Sequence, residues 1–113
     1  MIVKNYETVG AEPVTDAGAQ ETTVRWVIAE NEGAKNFFMR IFEIAPGGCT
    51  PLHRHSWEHE MFVFEGRGCI VREGKEVAIT KGFVIFVPSD EEHQVRNNSG
   101  EPLKLVCLIP AKR

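Results

Sequence analysis

The chain contains four histidines, and three of them, His53, His55 and His59, stand within seven residues of one another. Alternate side chains of an extended segment share a face, so we expect these three to point the same way. Imidazole nitrogens bind divalent transition metals at about 2 Å. The spacing therefore predicts a metal site, completed by the remaining histidine, His93. A solvated, pH-sensitive histidine cluster is the alternative.

Short β-type runs, separated by Gly, Pro, Asn and Asp, must position these histidines. From residue 24 onward we predict at least eight strands and no helix. Residues 1–23 are predicted to form an N-terminal arm, of which the small and polar part is irregular. This spacing of strands and turns is typical of an antiparallel sandwich or small barrel. The predicted strands are Val24–Ala29, Phe37–Ile44, Trp57–Phe64, Cys69–Arg72, Val77–Thr80, Phe83–Val87, His93–Asn97 and Leu103–Ile109.

Size and composition predict one globular domain over residues 1–113. The formal net charge of −3 provides no basic footprint for nucleic acid. No apolar stretch approaches the roughly 20 residues that cross a bilayer, and no secretory signal is evident, so a cytoplasmic location is expected. Three widely spaced cysteines, Cys49, Cys69 and Cys107, favour reduced thiols over a disulfide framework.

Two stretches of the chain resemble the conserved motifs of the cupin superfamily. The first cupin motif, G-x5-H-x-H-x3,4-E-x6-G, is similar to residues 47–66, with His59 where the motif has glutamate. The second, G-x5-P-x-G-x2-H-x3-N, is similar to residues 82–97, with Asp90 where the motif has its middle glycine. The matching residues of both motifs are Gly47, His53, His55, His59, Gly66, Gly82, Pro88, His93 and Asn97.

The resemblance implies an all-β fold, a double-stranded β-helix (jelly-roll) barrel. The run H-x-H-x-W-E-H-E looks most like a small, single-domain type-2 cupin subgroup of bacteria and archaea with a four-histidine manganese-type site. It implies one divalent ion held by His53, His55, His59 and His93. Manganese comes first by resemblance, with Fe, Ni, Zn, Co or Cu as alternatives. Glu60 is the alternative to His59, but its parity and its spacing to Gly66 fit less well.

Four neutral imidazoles leave the charge of a divalent ion uncompensated, so the site should favour anionic ligands. No further histidine or glutamate is predicted inside the barrel to act as a general base. With the family resemblance, this favours a metal-dependent, dioxygenase-like enzyme acting on a small oxygenated or unsaturated molecule. The alternatives are a metal-dependent isomerase or lyase, and a non-catalytic module that binds or senses a small ligand.

Strand parity also predicts which side chains line the pocket. Arg40 shares a face with apolar residues, so it is expected to pair with a glutamate or to bind a substrate carboxylate. Cys107 either approaches the metal or packs inertly. Trp57 is either a pocket wall or packs in the core or an interface. The six pocket candidates are Arg40, Trp57, Val95, Leu105, Cys107 and Ile109.

Phe62 and Phe64 are predicted to point outward from the barrel. Exposed apolar side chains of this size usually mark an interface. We therefore expect a homodimer, with a small molecule as the only other partner.

Overall fold

A computed structural model describes all 113 residues. Nine antiparallel strands form one curled sheet, which confirms the predicted all-β fold. The only helices are two 3-10 turns, Tyr6–Thr8 and Glu30–Glu32. The strands are β1 (Glu12–Pro13), β2 (Gln20–Ile28), β3 (Phe37–Cys49), β4 (His59–Glu65), β5 (Arg67–Arg72), β6 (Lys75–Thr80), β7 (Val84–Val87), β8 (His93–Arg96) and β9 (Leu103–Pro110). Their order in the sheet is β6-β5-β8-β3-β9-β4-β7, and β2 pairs with both β3 and β1.

None of these helices is long or apolar enough to span a membrane.

The N-terminal arm is more ordered than predicted. Its residues include the short strand β1 and the first four residues of β2, which pair with each other and with β3. Small and polar residues carry no strong strand signal of their own. Pairing with the neighbouring strand determines where β2 begins. The predicted start of this strand at Val24 is wrong, because β2 begins at Gln20.

Strand β3 does not stop at Ile44, as the Pro46-Gly47-Gly48 sequence predicted. It continues to Cys49, where it pairs with Gln20 of β2 and Arg96 of β8. Gly47 has a positive φ of 82°, and a Cβ on Gly48 would lie 2.6 Å from the carbonyl oxygen of Gln20. The two glycines therefore allow a bend within a continuous strand that passes from β9 to β8.

The last strand, β9, forms the centre of the core. Its alternate residues Leu103, Leu105, Cys107 and Ile109 are between 0% and 4% exposed. This alternation matches the parity predicted from the sequence, with Lys104 on the other face. Because β9 lies between β3 and β4, its inward side chains face both the core and the site described below.

The second-motif residue Asn97 is buried and locks the turn between β8 and β9. Its amide nitrogen donates to the carbonyl oxygens of Ile44 (2.8 Å) and Glu101 (2.7 Å). Its side-chain oxygen accepts from the backbone nitrogen (3.0 Å) and hydroxyl (2.7 Å) of Ser99. Each amide atom is satisfied, so Asn97 has a structural role and holds this turn against β3.

A candidate metal centre beside a cavity

The two motifs meet through a backbone pair between His53 and His93. The amide of His53 donates to the carbonyl of His93 (3.2 Å), and the amide of His93 donates to the carbonyl of His53 (3.0 Å). His53 is otherwise outside regular strands, and this isolated bridge holds its segment against β8. The pairing brings together imidazoles that lie far apart in the sequence.

Burial alternates along residues 51–60 even though most of this segment is not a strand. Pro51 and His59 are buried, His53, His55 and Trp57 are half-buried, and the even-numbered residues between them are exposed. The alternation expected of an extended segment is therefore present, without a bulge that reverses it. Glu60 falls on the outer face and is exposed, whereas His59 is 6% exposed.

Four imidazole rings form one cluster inside the barrel, and three of them converge through their ligand nitrogens. Ligand nitrogens of His53, His55 and His93 all lie within 4.8 Å of one another. This is close to the roughly 4 Å that separates opposite ligands of one ion. His59 falls outside that group of three, but its ring centroid lies 4.4 Å from that of His55 and 5.2 Å from that of His93.

The Nδ1 atoms of three rings are occupied by the protein. His55 Nδ1 donates to the carbonyl of Trp57 (3.0 Å), and His93 Nδ1 donates to that of Glu91 (2.9 Å). His59 Nδ1 lies 3.2 Å from the sulfur of Cys107. Donation from Nδ1 to a carbonyl fixes the rings and tautomers of His55 and His93 and leaves each Nε2 with a lone pair.

The Nε2 atoms of His55 and His59 are buried and have no hydrogen-bond partner. Buried polar atoms are nearly always paired, so two orphans in one ring cluster need a partner of another kind. A divalent ion bonded to Nε2 would satisfy both atoms. The residues therefore fit the metal that the sequence predicts.

Burial favours the neutral form of three imidazoles, those of His53, His55 and His59. It lowers the pKa of His59 to about 2, with the charge of Arg40 as the second cause. Burial, followed by the proximity of His93 and His55, lowers the pKa of His53 to about 4, and the pKa of His55 is lowered as well, again mainly by burial. Neutral imidazole is the form that binds metals, so the cluster is ready for an ion at neutral pH.

A cavity of about 280 Å³ opens beside three of the four rings, those of His53, His59 and His93. Four of the six predicted pocket candidates line it: Arg40, Val95, Leu105 and Cys107. The other two candidates, Trp57 and Ile109, lie outside its lining. Trp57 packs against the core, which is the other role predicted for it. Ile109 is 4% exposed and packs in the hydrophobic core.

Trp57 lies against the ring of His55. The two rings are stacked with centroids 4.2 Å apart and an interplanar angle of 4°. With the hydrogen bond from His55 to its carbonyl, this contact holds the imidazole from both its face and its Nδ1 edge. Trp57 therefore positions a ring of the cluster and does not line the cavity.

Arg40 forms no ion pair with a glutamate, contrary to one sequence prediction. The neighbouring Glu43 pairs with Arg25 instead, at 3.4 Å. Arg40 lies on the inner face, where Nη2 donates to the sulfur of Cys107 (3.0 Å). Its guanidinium carbon lies 5.3 Å from the ring centroid of Trp26 and 4.9 Å from that of Phe42. The two aromatic rings take the place of the expected carboxylate.

Cys107 connects Arg40 to the histidine cluster. The residue is 1% exposed, and burial raises the pKa of its thiol, although the charge of Arg40 opposes that shift. Its sulfur contacts Nδ1 of His59, the nitrogen that would face away from an ion bound at Nε2. Cys107 thus supports the ring of His59 and lies outside the group of convergent nitrogens.

Comparison with known proteins identifies the family. The family model described as "Cupin domain" matches residues 40–109.

The chain belongs to the cupin superfamily.

A solved structure similar to this cupin is the polyketide cyclase RemF from Streptomyces resistomycificus. It is 36% identical, with a TM-score of 0.95 over 100% of this chain and 81% of that one. Among curated relatives, the 1-methylthio-D-xylulose 5-phosphate methylsulfurylase of Rhodospirillum rubrum is 31% identical over 75 residues, 66% of this chain and 48% of its own. The tetracenomycin polyketide synthase protein TcmJ of Streptomyces glaucescens is 27% identical over 78 residues, 68% of this cupin and 52% of TcmJ. The chain thus spans about half the length of these curated relatives.

Sequence reasoning missed the residues at the mouth of the cupin's cavity. Glu12, Thr15 and Asp16 line it because the segment around β1 folds over the barrel opening. Nothing in their composition predicted that contact. Trp26 was also missed, although one signal was present: a hairpin through the turn at residues 31–36 places Trp26 opposite Arg40.

Proposed function

We propose that His53, His55, His59 and His93 hold one divalent transition metal, with manganese as the first candidate. The observation that carries this proposal is the pair of buried, unpartnered Nε2 atoms on His55 and His59. The close approach of the ligand nitrogens of His53, His55 and His93 supports it. So does burial, which lowers the pKa values of His53, His55 and His59. His59 is preferred to Glu60 because Glu60 is exposed on the outer face of β4.

We further propose that the protein is a metal-dependent cyclase that acts on a small polycarbonyl compound of the polyketide type. The similarity to the polyketide cyclase RemF supports this, since it extends over the whole of this chain. The relative TcmJ, whose name refers to a polyketide synthase, points to the same class of substrate. A cavity of about 280 Å³ lies near the lower end of the range for small-molecule sites, so a compact substrate fits best.

The reaction is an intramolecular aldol condensation. A methylene between two carbonyls loses a proton, its carbon bonds to a distant carbonyl carbon of the same chain, and one water leaves. A divalent ion held by the four histidines would supply Lewis-acid polarisation of carbonyl oxygens. The apolar side chains of Met61, Val95 and Leu105 exclude water and compact the substrate. The carboxylates of Glu12 and Asp16, at the cavity mouth, are the available proton acceptors.

A dioxygenase-like oxidation, as expected from the sequence, is the second candidate. It is supported by the same histidines, because they border a cavity large enough for a small substrate beside a metal. Cyclisation leaves the oxidation level of the substrate unchanged and consumes no oxygen. Oxygen uptake therefore separates the two reactions.

The test uses metal-loaded protein and a linear nine-carbon tetraketone, which can close a six-membered ring with loss of one water. Mass spectrometry follows the product and an oxygen electrode follows oxygen. We expect a dehydrated aromatic product without oxygen uptake, and neither with chelator-treated protein nor with His59→Ala. Oxygen uptake with an oxidised product would support the dioxygenase instead. Tight binding of the unchanged tetraketone would support a non-catalytic binding module.

We also propose that the protein is a homodimer and cytoplasmic. Phe62, Val84 and Phe86, on the adjacent strands β4 and β7, are 44%, 77% and 55% exposed and form an apolar strip on the outer face. Phe64 is less available, because it packs edge-on against Tyr6 at 5.7 Å. Sedimentation at micromolar concentration should give a dimer, and a monomer would contradict this. Cell fractionation tests the location.

A further inference from the structure

Arg40 places a positive charge in the cavity wall without a negative partner. Every ion pair of the protein involves other residues, and no carboxylate lies within ion-pairing distance of this guanidinium. Arg40 is half-buried, and a charge that is partly removed from water is usually paired, because its desolvation is costly. The guanidinium of Arg40 is therefore available to pair with an anion.

Two of the three side-chain nitrogens of Arg40 also lack a hydrogen-bond partner. Of its three side-chain nitrogens, only Nη2 has a partner, the weakly accepting sulfur of Cys107. Nε is buried without a partner. The remaining nitrogen, Nη1, has no hydrogen bond and is not among the buried atoms, so it is accessible from the cavity.

The guanidinium is held in place before any ligand arrives. Trp26 and Phe42 lie against it, at 5.3 Å and 4.9 Å from its central carbon, and Cys107 holds one end. Such a fixed planar group loses little conformational entropy when it binds a carboxylate. Its charge reaches the histidine cluster, because it contributes to the lowered pKa values of His59 and His53.

The carboxylates at the mouth do not meet this requirement. Glu12 and Asp16 line the same cavity, but both are exposed to solvent and neither forms an ion pair with Arg40. The cavity thus has a positive inner wall and an acidic rim. An ion held by four neutral imidazoles would add a further positive charge to the inner wall.

We propose that Arg40 is the specificity-determining residue of this cavity and selects substrates that carry a carboxylate. This rests on the proposed function and narrows its substrate class from polycarbonyl compounds to polycarbonyl acids. The keto groups of such an acid lie toward the histidines, and the carboxylate accepts a hydrogen bond from Nη1 of Arg40. A neutral ester of the same chain leaves the guanidinium unpaired and binds more weakly.

The test compares a six-carbon β,δ-diketo acid with its methyl ester, by calorimetric titration into metal-loaded protein. We expect the wild type to bind the acid roughly 10- to 100-fold more tightly than the ester. Arg40→Met should remove most of that preference while ester binding changes little. Arg40→Lys should retain part of it, because lysine keeps the charge and loses the planar fork. Arg54→Met is the matched control, since Arg54 lies between His53 and His55 but is exposed and outside the cavity lining. This variant should keep the full preference for the acid over the ester.

Each alternative outcome has a distinct meaning. If Arg40→Met keeps the wild-type preference for the acid, or if the wild type binds acid and ester equally, the selection by Arg40 is wrong and the metal site stands. If neither compound binds to metal-loaded wild type, both this inference and the proposed function are wrong. If Arg54→Met loses the preference for the acid as fully as Arg40→Met does, that preference comes from general positive charge and the role of Arg40 is wrong.

Discussion

His53 and His93 exchange both of their backbone hydrogen bonds, at 3.2 Å and 3.0 Å, and so the two motifs of the chain meet at their histidines. The pair holds a segment that is otherwise outside regular strands against the edge of β8. The proposed ion would bind side chains from both halves of this pair. Binding of the ion should therefore stabilise the domain as a whole and not only the segments next to His53 and His93.

Removing the metal should lower the stability of the whole domain. An ion that binds only the native state stabilises it by about 2.7 kcal/mol at 100 times its dissociation constant. We expect the melting temperature to fall by several degrees on chelation and to recover on addition of manganese. Differential scanning calorimetry measures both. An unchanged melting temperature after complete chelation would contradict a site that joins the two motifs.

Cys107 should support metal affinity through His59. Replacing it with alanine removes the sulfur 3.2 Å from Nδ1 and frees the ring to turn. Loss of such a supporting contact typically lowers metal affinity about 10- to 100-fold. Cys107→Ser retains a hydrogen-bonding group and should lose less. The control is Cys69→Ala, because Cys69 is 2% exposed and lies outside the cavity lining. Competition titration with a fluorescent chelator gives the affinities; equal losses at both cysteines would rule out this specific role.

The metal-free protein should lose stability in mild acid. Its folded-state pKa values are about 4 for His53 and about 2 for His59, against an ordinary value of 6.5. Between pH 6.5 and 4 these two histidines therefore bind protons in the unfolded chain but stay largely unprotonated in the native state. The free energy of unfolding falls as the pH falls. Urea titrations at pH 7.5, 6 and 5 measure it.

A matched variant separates this effect from that of carboxylates. His53→Gln removes one lowered pKa, so its free energy of unfolding should depend less on pH over the same interval. Identical pH dependence in the wild type and His53→Gln would show that the imidazole of His53 is not held neutral by burial.

Gly66 should be far less tolerant of a side chain than another turn glycine. Both Gly66 and Gly74 have positive φ, 83° and 75°, but a Cβ on Gly66 would collide with the carbonyl of Pro102 and one on Gly74 would meet nothing. We expect Gly74→Ala to cost about 1–2 kcal/mol for the left-handed backbone alone. Gly66→Ala should cost at least about 1 kcal/mol more. Equal losses in urea unfolding would mean that this collision is readily relieved.

Much of the site could be predicted because its residues alternate. His53, His55 and His59 keep one parity through a segment that is mostly not a strand, so a pattern rule gave the correct inward set. The alternation in β9 likewise predicted the burial of Leu105 and Cys107. Local periodicity was sufficient wherever one face of the chain meets the core.

The remaining features depend on pairings that the local pattern does not contain. The contact of Glu12 and Asp16 with the cavity arises from the way the β1 segment folds over the barrel. The continuation of β3 beyond Ile44 arises because the strand changes its partner from β9 to β8. The Pro46-Gly47-Gly48 sequence had predicted a turn at this point. Of the two roles predicted for Arg40, the ion pair with a glutamate is wrong, because its cross-strand neighbour on β2 is Trp26. Each error concerns a tertiary neighbour that outweighs the local signal.

The most direct test of the four-histidine centre is elemental analysis of protein purified without a metal-affinity tag, on the wild type, His59→Ala and Glu60→Ala. We expect close to one equivalent of a divalent transition metal per chain in the wild type and in Glu60→Ala, and a clear loss in His59→Ala. Retention of the metal in His59→Ala, with its loss in Glu60→Ala, would show that Glu60 and not His59 is the fourth ligand.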